Sequence, residues 1–171
     1  MRKRTLRDDH NGITLVEIII VLAILGILTT TVVGMIGHLH YADTQKVVKT
    51  LDSSLDALQV KTMSKTGSSY MYVYKSGNNY YMKTTSSNLS SFDDTVLNSD
   101  GTRLCNNTIK IWKVSAGTKT EITGKTYIKI AYTKTALFDT ANTNADSIYI
   151  DGVPEYTLTL VKDTGKHFVN Q

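Results

Sequence analysis

The most prominent feature of the hydrophobic pattern is a long aliphatic run near the N-terminus. From Ile13 to Gly37 the sequence contains a single ionisable residue, Glu17. As an α-helix this run would be about 37 Å long, enough to cross a hydrocarbon core of about 30 Å with some tilt. The pattern therefore predicts a membrane-spanning helix over residues 13–37.

Beyond Gly37 the pattern becomes that of an amphipathic helix. Mostly apolar residues recur at steps of three and four, and no proline interrupts them. The stripe consists of Tyr41, Val48, Leu51, Leu55, Leu58 and Thr62. Lys61 and Lys65 suit the last turn of a helix, and Gly67 is typical of a residue that ends one. We expect one helix from Thr14 to about Lys65, amphipathic over residues 38–66.

From Ser69 the period changes to two, which indicates β-strands. Residues 70–84 predict a hairpin with its turn at residues 76–79, and alternating segments follow at 108–122, 125–133, 147–151, 155–161 and 165–169. Segments 85–107 and 139–146 read as long loops. The expected fold is α+β, in which six or seven antiparallel strands form a head of residues 67–171 on the second half of the helix.

Composition and charge narrow the classes of function. The chain has 171 residues, enough for one domain and an appended segment, and a formal charge of +4. This charge is too small to demand a nucleic-acid partner. Cys105 is the only cysteine, which excludes an intrachain disulfide and a cysteine-based metal site. Basic residues precede the aliphatic run, so the N-terminus is expected in the cytoplasm and the head outside it.

Two general interpretations of the aliphatic run explain it incompletely. A secretory signal peptide has a shorter apolar region that ends in small residues, a pattern that Gly34-Met35-Ile36-Gly37 fits poorly. A plain signal anchor accounts for length and orientation but leaves Glu17 unexplained. A carboxylate well inside a bilayer costs on the order of 2–3 kcal/mol or more, which points to a function for it.

The segment Gly12-Ile13-Thr14-Leu15-Val16-Glu17 follows a short basic leader and precedes the aliphatic run. In this combination it resembles the class III signal of type IV prepilins and pseudopilins. The resemblance implies that a prepilin peptidase removes residues 1–12 by cutting between Gly12 and Ile13, and then methylates the new amine of Ile13. Isoleucine departs from the family's usual phenylalanine at this position, so methylation is less firmly implied than cleavage. The family's frequent mid-helix proline is also missing.

Cleavage would create a cationic amine at Ile13 in lipid or in a fibre core. The Glu17 carboxylate of a neighbouring subunit can neutralise it, which would set the register of assembly. The alternative is that Glu17 only reaches to the membrane interface, since it lies about 6 Å along the helix axis from Ile13. The implied partners are the prepilin peptidase, other pilin subunits, the cytoplasmic membrane and the pilus assembly machinery.

Other candidate chemistry is sparse. The histidines are His10, His38, His40 and His167, and no Ser-His-Asp arrangement or phosphate loop is visible. We expect no catalytic residue and no cofactor. Asp139, Asn142, Asn144 and Asp146 make an oxygen-rich loop that suits calcium, but the glycine and glutamate of a helix-loop-helix site are missing, which favours an ordinary solvated turn and no metal site.

Basic residues dominate segment 103–134, whereas segment 135–163 is acidic. If Lys110, Lys113, Lys125 and Lys129 converged on one sheet face, they could hold DNA phosphates. Lysines that protect edge strands, or charged faces that dock neighbouring heads, explain the same residues. The ending of the chain, residues 147–169, also loosely resembles the last strands of H-type minor pseudopilins, which close with a strand, a Thr-Gly turn and a strand.

The preferred interpretation is a structural filament subunit. One alternative is a minor or tip subunit of a DNA-uptake or type II secretion pseudopilus, whose head binds DNA or a partner. Another is a membrane-anchored head that forms no fibre.

Overall fold

A computed structural model describes residues 14–64 and 67–171, with side chains described at 14–29, 39–64 and 67–171. The predictions for the leader, Gly12 and Ile13 lie outside the described residues, as does Lys65. The chain divides into two compact units, Met1–His38 and Leu39–Gln171, and each is described by itself.

Helix α1 spans Leu15–Ser64, which confirms the single long helix predicted from the sequence. In the first unit its described side chains are exposed, and all but a few of them are aliphatic. Among the residues that the structure describes, no helix is both long and apolar enough to cross a membrane.

In the second unit one face of α1 is buried. Leu51, Leu55 and Leu58 lie on it with at most 1% exposure, as the stripe predicts. The prediction is wrong at Tyr41, which is 45% exposed, whereas Thr44 is fully buried. The Thr44 hydroxyl can be buried because it donates a hydrogen bond to the His40 carbonyl, at 2.8 Å, and so is not left unpaired.

Among the described residues, nine strands follow the helix, two more than the largest number expected. They are β1 Tyr70–Ser76, β2 Asn79–Thr85, β3 Thr102–Asn106, β4 Lys110–Ser115, β5 Thr118–Glu121, β6 Tyr127–Ala131, β7 Ser147–Asp151, β8 Tyr156–Val161 and β9 Lys166–Asn170. The predicted first hairpin is confirmed as β1–β2. The prediction of a loop over residues 85–107 is wrong at β3, whose two buried residues are adjacent and do not alternate with polar ones.

The strands form two antiparallel sheets. The four-stranded sheet has the order β3-β2-β1-β6, and the five-stranded sheet has the order β5-β4-β7-β8-β9. Their inner faces and the buried face of α1 enclose one core, which includes Leu51, Leu55, Ile111, Ile130 and Ile148. The second unit is therefore α+β, as predicted, but its strands form two sheets.

A loop covers the outer face of the four-stranded sheet. Leu89, Phe92, Val96 and Leu97 pack on its tyrosines, and the Tyr72 hydroxyl accepts a hydrogen bond from the Leu89 N–H at 2.9 Å. The equivalent hydroxyl of Tyr74 donates to the Asn98 carbonyl at 2.6 Å. Much of the segment predicted to be a loop is thus a second, smaller core.

The C-terminal end of α1 is capped by a side chain distant in sequence. The Lys134 ammonium donates hydrogen bonds to the carbonyl oxygens of Thr62, at 2.5 Å, and Gly67, at 3.1 Å. A cation at a helix C-terminus also interacts favourably with the helix dipole. Lys61 lies in the last turn of α1, as predicted, and Lys134 adds a second cation at this end of the helix.

We expect Lys134→Met to lower the free energy of unfolding by about 1 kcal/mol, because it removes charged hydrogen bonds that are partly exposed. Denaturant unfolding of the full chain in detergent measures this change. Lys125→Met, at an exposed turn lysine, is the matched control and should change stability by less than about 0.5 kcal/mol. Equal effects of the two substitutions would contradict the capping role.

Candidate functional site

The first turn of α1 holds Glu17 in a capping box. The Glu17 N–H donates a hydrogen bond to the Thr14 hydroxyl at 3.2 Å, and the Thr14 N–H donates to a Glu17 carboxylate oxygen at 3.4 Å. This reciprocal pairing satisfies two backbone donors at a helix start. Glu17 therefore has a local role that our sequence analysis missed, although the Thr-x-x-Glu spacing is its usual signal.

The helix after Glu17 presents aliphatic side chains on every side. Each of the large aliphatic residues from Leu15 to Leu28 is at least 47% exposed. A helix that is apolar all round is normally buried, either in a large protein or in a membrane. Its surface therefore needs a cover that the described residues of this unit do not supply.

The four lysines proposed for DNA binding lie at separate places in the head. Lys110 and Lys113 are on β4 of the five-stranded sheet, three residues apart and hence on opposite faces. Lys129 is on β6 of the four-stranded sheet, and Lys125 is exposed in the turn before that strand. The structure does not bring the four together on one face.

Two of these lysines also have partners within the head. The Lys110 ammonium lies 3.8 Å from a carboxylate oxygen of Glu121. The Lys129 ammonium donates a hydrogen bond to the Leu89 carbonyl at 3.3 Å and lies 5.5 Å from the centre of the Tyr70 ring. Each of these two lysines therefore already contacts other residues of the same head.

The oxygen-rich loop 139–146 caps the free edge of β6. The Asn144 side-chain oxygen accepts a hydrogen bond from the Lys129 N–H at 2.8 Å, and the Asn144 N–H donates to the Lys129 carbonyl at 3.0 Å. The Thr143 hydroxyl accepts from the Ala131 N–H at 3.1 Å. Such capping protects an edge strand from pairing with another chain.

Asp146, at the end of this loop, pairs with Lys162 and accepts a hydrogen bond from the Ala116 N–H. These hydrogen bonds, the one from Lys162 first, lower the pKa of the Asp146 carboxyl. Within residues 14–64 and 67–171, no three His, Cys, Asp or Glu side chains are grouped so as to hold a metal ion. The polar atoms of the loop thus have structural partners.

The last strand is joined to α1 by a histidine to which the sequence analysis gave no role. The Nε2 atom of His167 lies 3.1 Å from a carboxylate oxygen of Asp52 and 3.6 Å from one of Asp56. The two acids are four residues apart and so share one helix face.

Cys105 is buried, and burial raises the pKa of its thiol to about 12, which keeps it protonated at neutral pH.

Comparison with known proteins identifies the N-terminal segment. Residues 7–33 match the family model of the prokaryotic N-terminal methylation motif. No curated protein and no solved structure shows significant similarity to the chain. The matched segment includes Gly12, Ile13 and Glu17, and the proteins that carry this motif are structural rather than enzymatic. For residues 7–33, the motif confirms the resemblance to type IV prepilins and pseudopilins seen in the sequence.

Proposed function

We propose that this chain is a prepilin or pseudopilin that a prepilin peptidase cleaves between Gly12 and Ile13. The mature subunit then enters a type IV pilus-like filament through its N-terminal helix. The observation that carries this proposal is the aliphatic surface of residues 15–28, which is exposed on all sides. Lipid covers such a surface before assembly, and the helices of neighbouring subunits cover it afterwards.

In this proposal residues 13–37 anchor the subunit in the cytoplasmic membrane, with the head outside the cytoplasm. The basic leader supports that orientation. The peptidase methylates the new amine of Ile13 after cleavage. Assembly by the pilus machinery moves the subunit from the membrane to an extracellular or periplasmic filament.

Glu17 has a second role after cleavage. Its carboxylate lies at the N-terminal end of α1, 3.4 Å from the N–H of Thr14, the residue that follows Ile13 in the sequence. In a filament, the amine of one subunit and the Glu17 carboxylate of the next would pair, because neither charge is stable unpaired in an apolar core. This pairing sets the axial register of the incoming subunit.

The alternative, a tip or minor subunit whose head binds DNA, has less support. Affinity for nucleic acid depends on several cations that contact phosphates together. The four candidate lysines are divided between two sheets and a turn, and Lys110 is paired with Glu121. We therefore propose the structural role ahead of DNA binding.

Processing gives the direct test. Coexpression of the full chain with an active prepilin peptidase should yield a protein that begins at Ile13 and carries one added methyl group. Intact-mass and N-terminal peptide mass spectrometry measure both changes. The same chain without the peptidase should begin at Met1, and Gly12→Val should remain full length even with the peptidase. Recovery of uncleaved wild-type chain beside an active peptidase would overturn the proposal.

A further inference from the structure

Two exposed apolar residues lie at one end of the head. Tyr41 precedes Thr44 by three residues, which places both on the same face of α1. The Thr44 hydroxyl oxygen accepts a hydrogen bond from the Val153 N–H at 3.2 Å. Tyr41 and Val153 therefore flank Thr44, and they are 45% and 60% exposed. We call these two residues the end surface.

The turn that carries Val153 is held in a fixed position. Thr44 is fully buried, and Gly152 packs so closely on it that an added Cβ would overlap the Thr44 side chain. Val153 thus lies at the tip of a turn anchored to the helix. Its exposure is a property of the folded head and does not require a mobile loop.

The position of the end surface along the chain suggests what covers it. The second unit begins at Leu39, two residues after the segment predicted to cross the membrane. Tyrosine is enriched at the boundary between lipid and water because its ring is apolar and its hydroxyl is polar. The Tyr41 hydroxyl accepts a hydrogen bond from the Gln45 amide at 2.6 Å, so its ring can contact lipid while the hydroxyl stays paired.

The charged neighbours favour an apolar contact over an electrostatic one. Asp43 lies two residues after Tyr41, and Glu155 lies two residues after Val153. Both acids are exposed. Lys46 and Arg103 line one pocket with Asp43, so the charges near this end are mixed, and we attribute the attraction to Tyr41 and Val153. Binding of this kind depends little on salt.

We propose that the end surface of Tyr41 and Val153 rests on the lipid of the cytoplasmic membrane until the subunit joins a filament. This inference depends on the proposed membrane anchoring of residues 13–37. Contact with lipid would hold the head in one orientation while the subunit waits for assembly. Entry into the filament would then remove the end surface from lipid.

Tryptophan fluorescence in phosphatidylcholine vesicles with brominated acyl chains tests the contact. Trp112 is the only native tryptophan, and its buried indole N–H has no hydrogen-bond partner among the described residues. Trp112→Phe therefore removes a background signal without breaking a hydrogen bond that the structure describes. In that background, the full chain carries a single reporter, Val153→Trp or Tyr41→Trp. The matched control is Val60→Trp. The native Val60 side chain is 64% exposed and lies about 24 Å further along α1 than Thr44.

Both end-surface reporters should lose fluorescence in brominated vesicles relative to ordinary ones, whereas the Val60→Trp control should not. Protection of the buried Cys105 thiol from alkylation verifies that each variant is folded. Reporters that stay unquenched in a folded chain that floats with the vesicles would overturn the inference but leave the anchoring intact. Equal quenching of the control would also overturn it, because the head would then lie on lipid without a preferred end. A chain that does not float at all would overturn the proposed anchoring itself.

Discussion

Gly165→Ala should destabilise the head by at least about 3 kcal/mol, because it combines backbone strain with an unavoidable overlap. Gly165 has a φ of 67°, a conformation that costs an L-residue roughly 1–2 kcal/mol. An added Cβ would also overlap the carbonyl oxygen of Ala136, which is backbone and cannot rotate away. The Gln59 amide on α1 donates to the carbonyls of both Ala136, at 2.8 Å, and Gly165, at 3.3 Å. A shift at Gly165 would therefore disturb three segments of the head.

Denaturant unfolding of the full chain in detergent measures this loss, with Gly77→Ala as the matched control. Gly77 has a φ of 58°, and among the described residues no heavy atom outside Gly77 and its two chain neighbours lies within 4 Å of where its Cβ would be. The control substitution should therefore lower the free energy of unfolding only by the cost of the backbone conformation, about 1–2 kcal/mol. Similar losses for the two substitutions would mean that the close approach to Ala136 carries no energetic weight.

The elements that the sequence predicted are those that local pattern determines. The helix and the first hairpin were confirmed because their periodicities extend over many residues and a short turn joins β1 to β2. The division into two sheets was not predicted. It depends on the pairing of β1 with β6 and of β4 with β7, and these partners are far apart in the sequence.

The difference between local pattern and contacts of distant segments also explains the wrong predictions at individual residues. Tyr41 continues the helical stripe in the sequence, but it is 45% exposed, and Thr44 is the buried residue on this part of the helix. The cap at Thr62 comes from Lys134, and the edge of β6 is protected by Asn144. Neither contact can be read from spacing, because each joins segments that meet only in the folded head.

The candidate site was more accessible to sequence reasoning than the head. The methylation motif is a contiguous segment, so its recognition does not depend on tertiary structure. The capping box of Thr14 and Glu17 is equally local, and it was missed because the membrane interpretation already gave Glu17 a role. The pairing of His167 with Asp52 and Asp56 could not be predicted, since it joins the last strand to the helix.

Substitution at Glu17 should have the largest effect on assembly. We expect Glu17→Ala to reduce the yield of filaments by more than about tenfold, because an unpaired ammonium buried in the fibre core costs on the order of 3–5 kcal/mol. Cleavage after Gly12 should continue, since the head and the cleavage residues are unchanged. Immunoblots of sheared filaments, normalised to the processed subunit in membranes, measure both quantities.

The capping box makes this result ambiguous unless charge and hydrogen bonding are separated. Glutamine at position 17 retains the reciprocal pairing with Thr14 but removes the charge. If Glu17 neutralises the amine of a neighbouring subunit, Glu17→Gln should lose filaments as severely as Glu17→Ala. If the role of Glu17 is only to begin the helix, Glu17→Gln should assemble like the wild type. Thr14→Ala should then lose filaments as Glu17→Ala does. Normal assembly of Glu17→Gln would therefore contradict pairing between subunits, because this substitution removes the charge and keeps the hydrogen bonds that begin the helix.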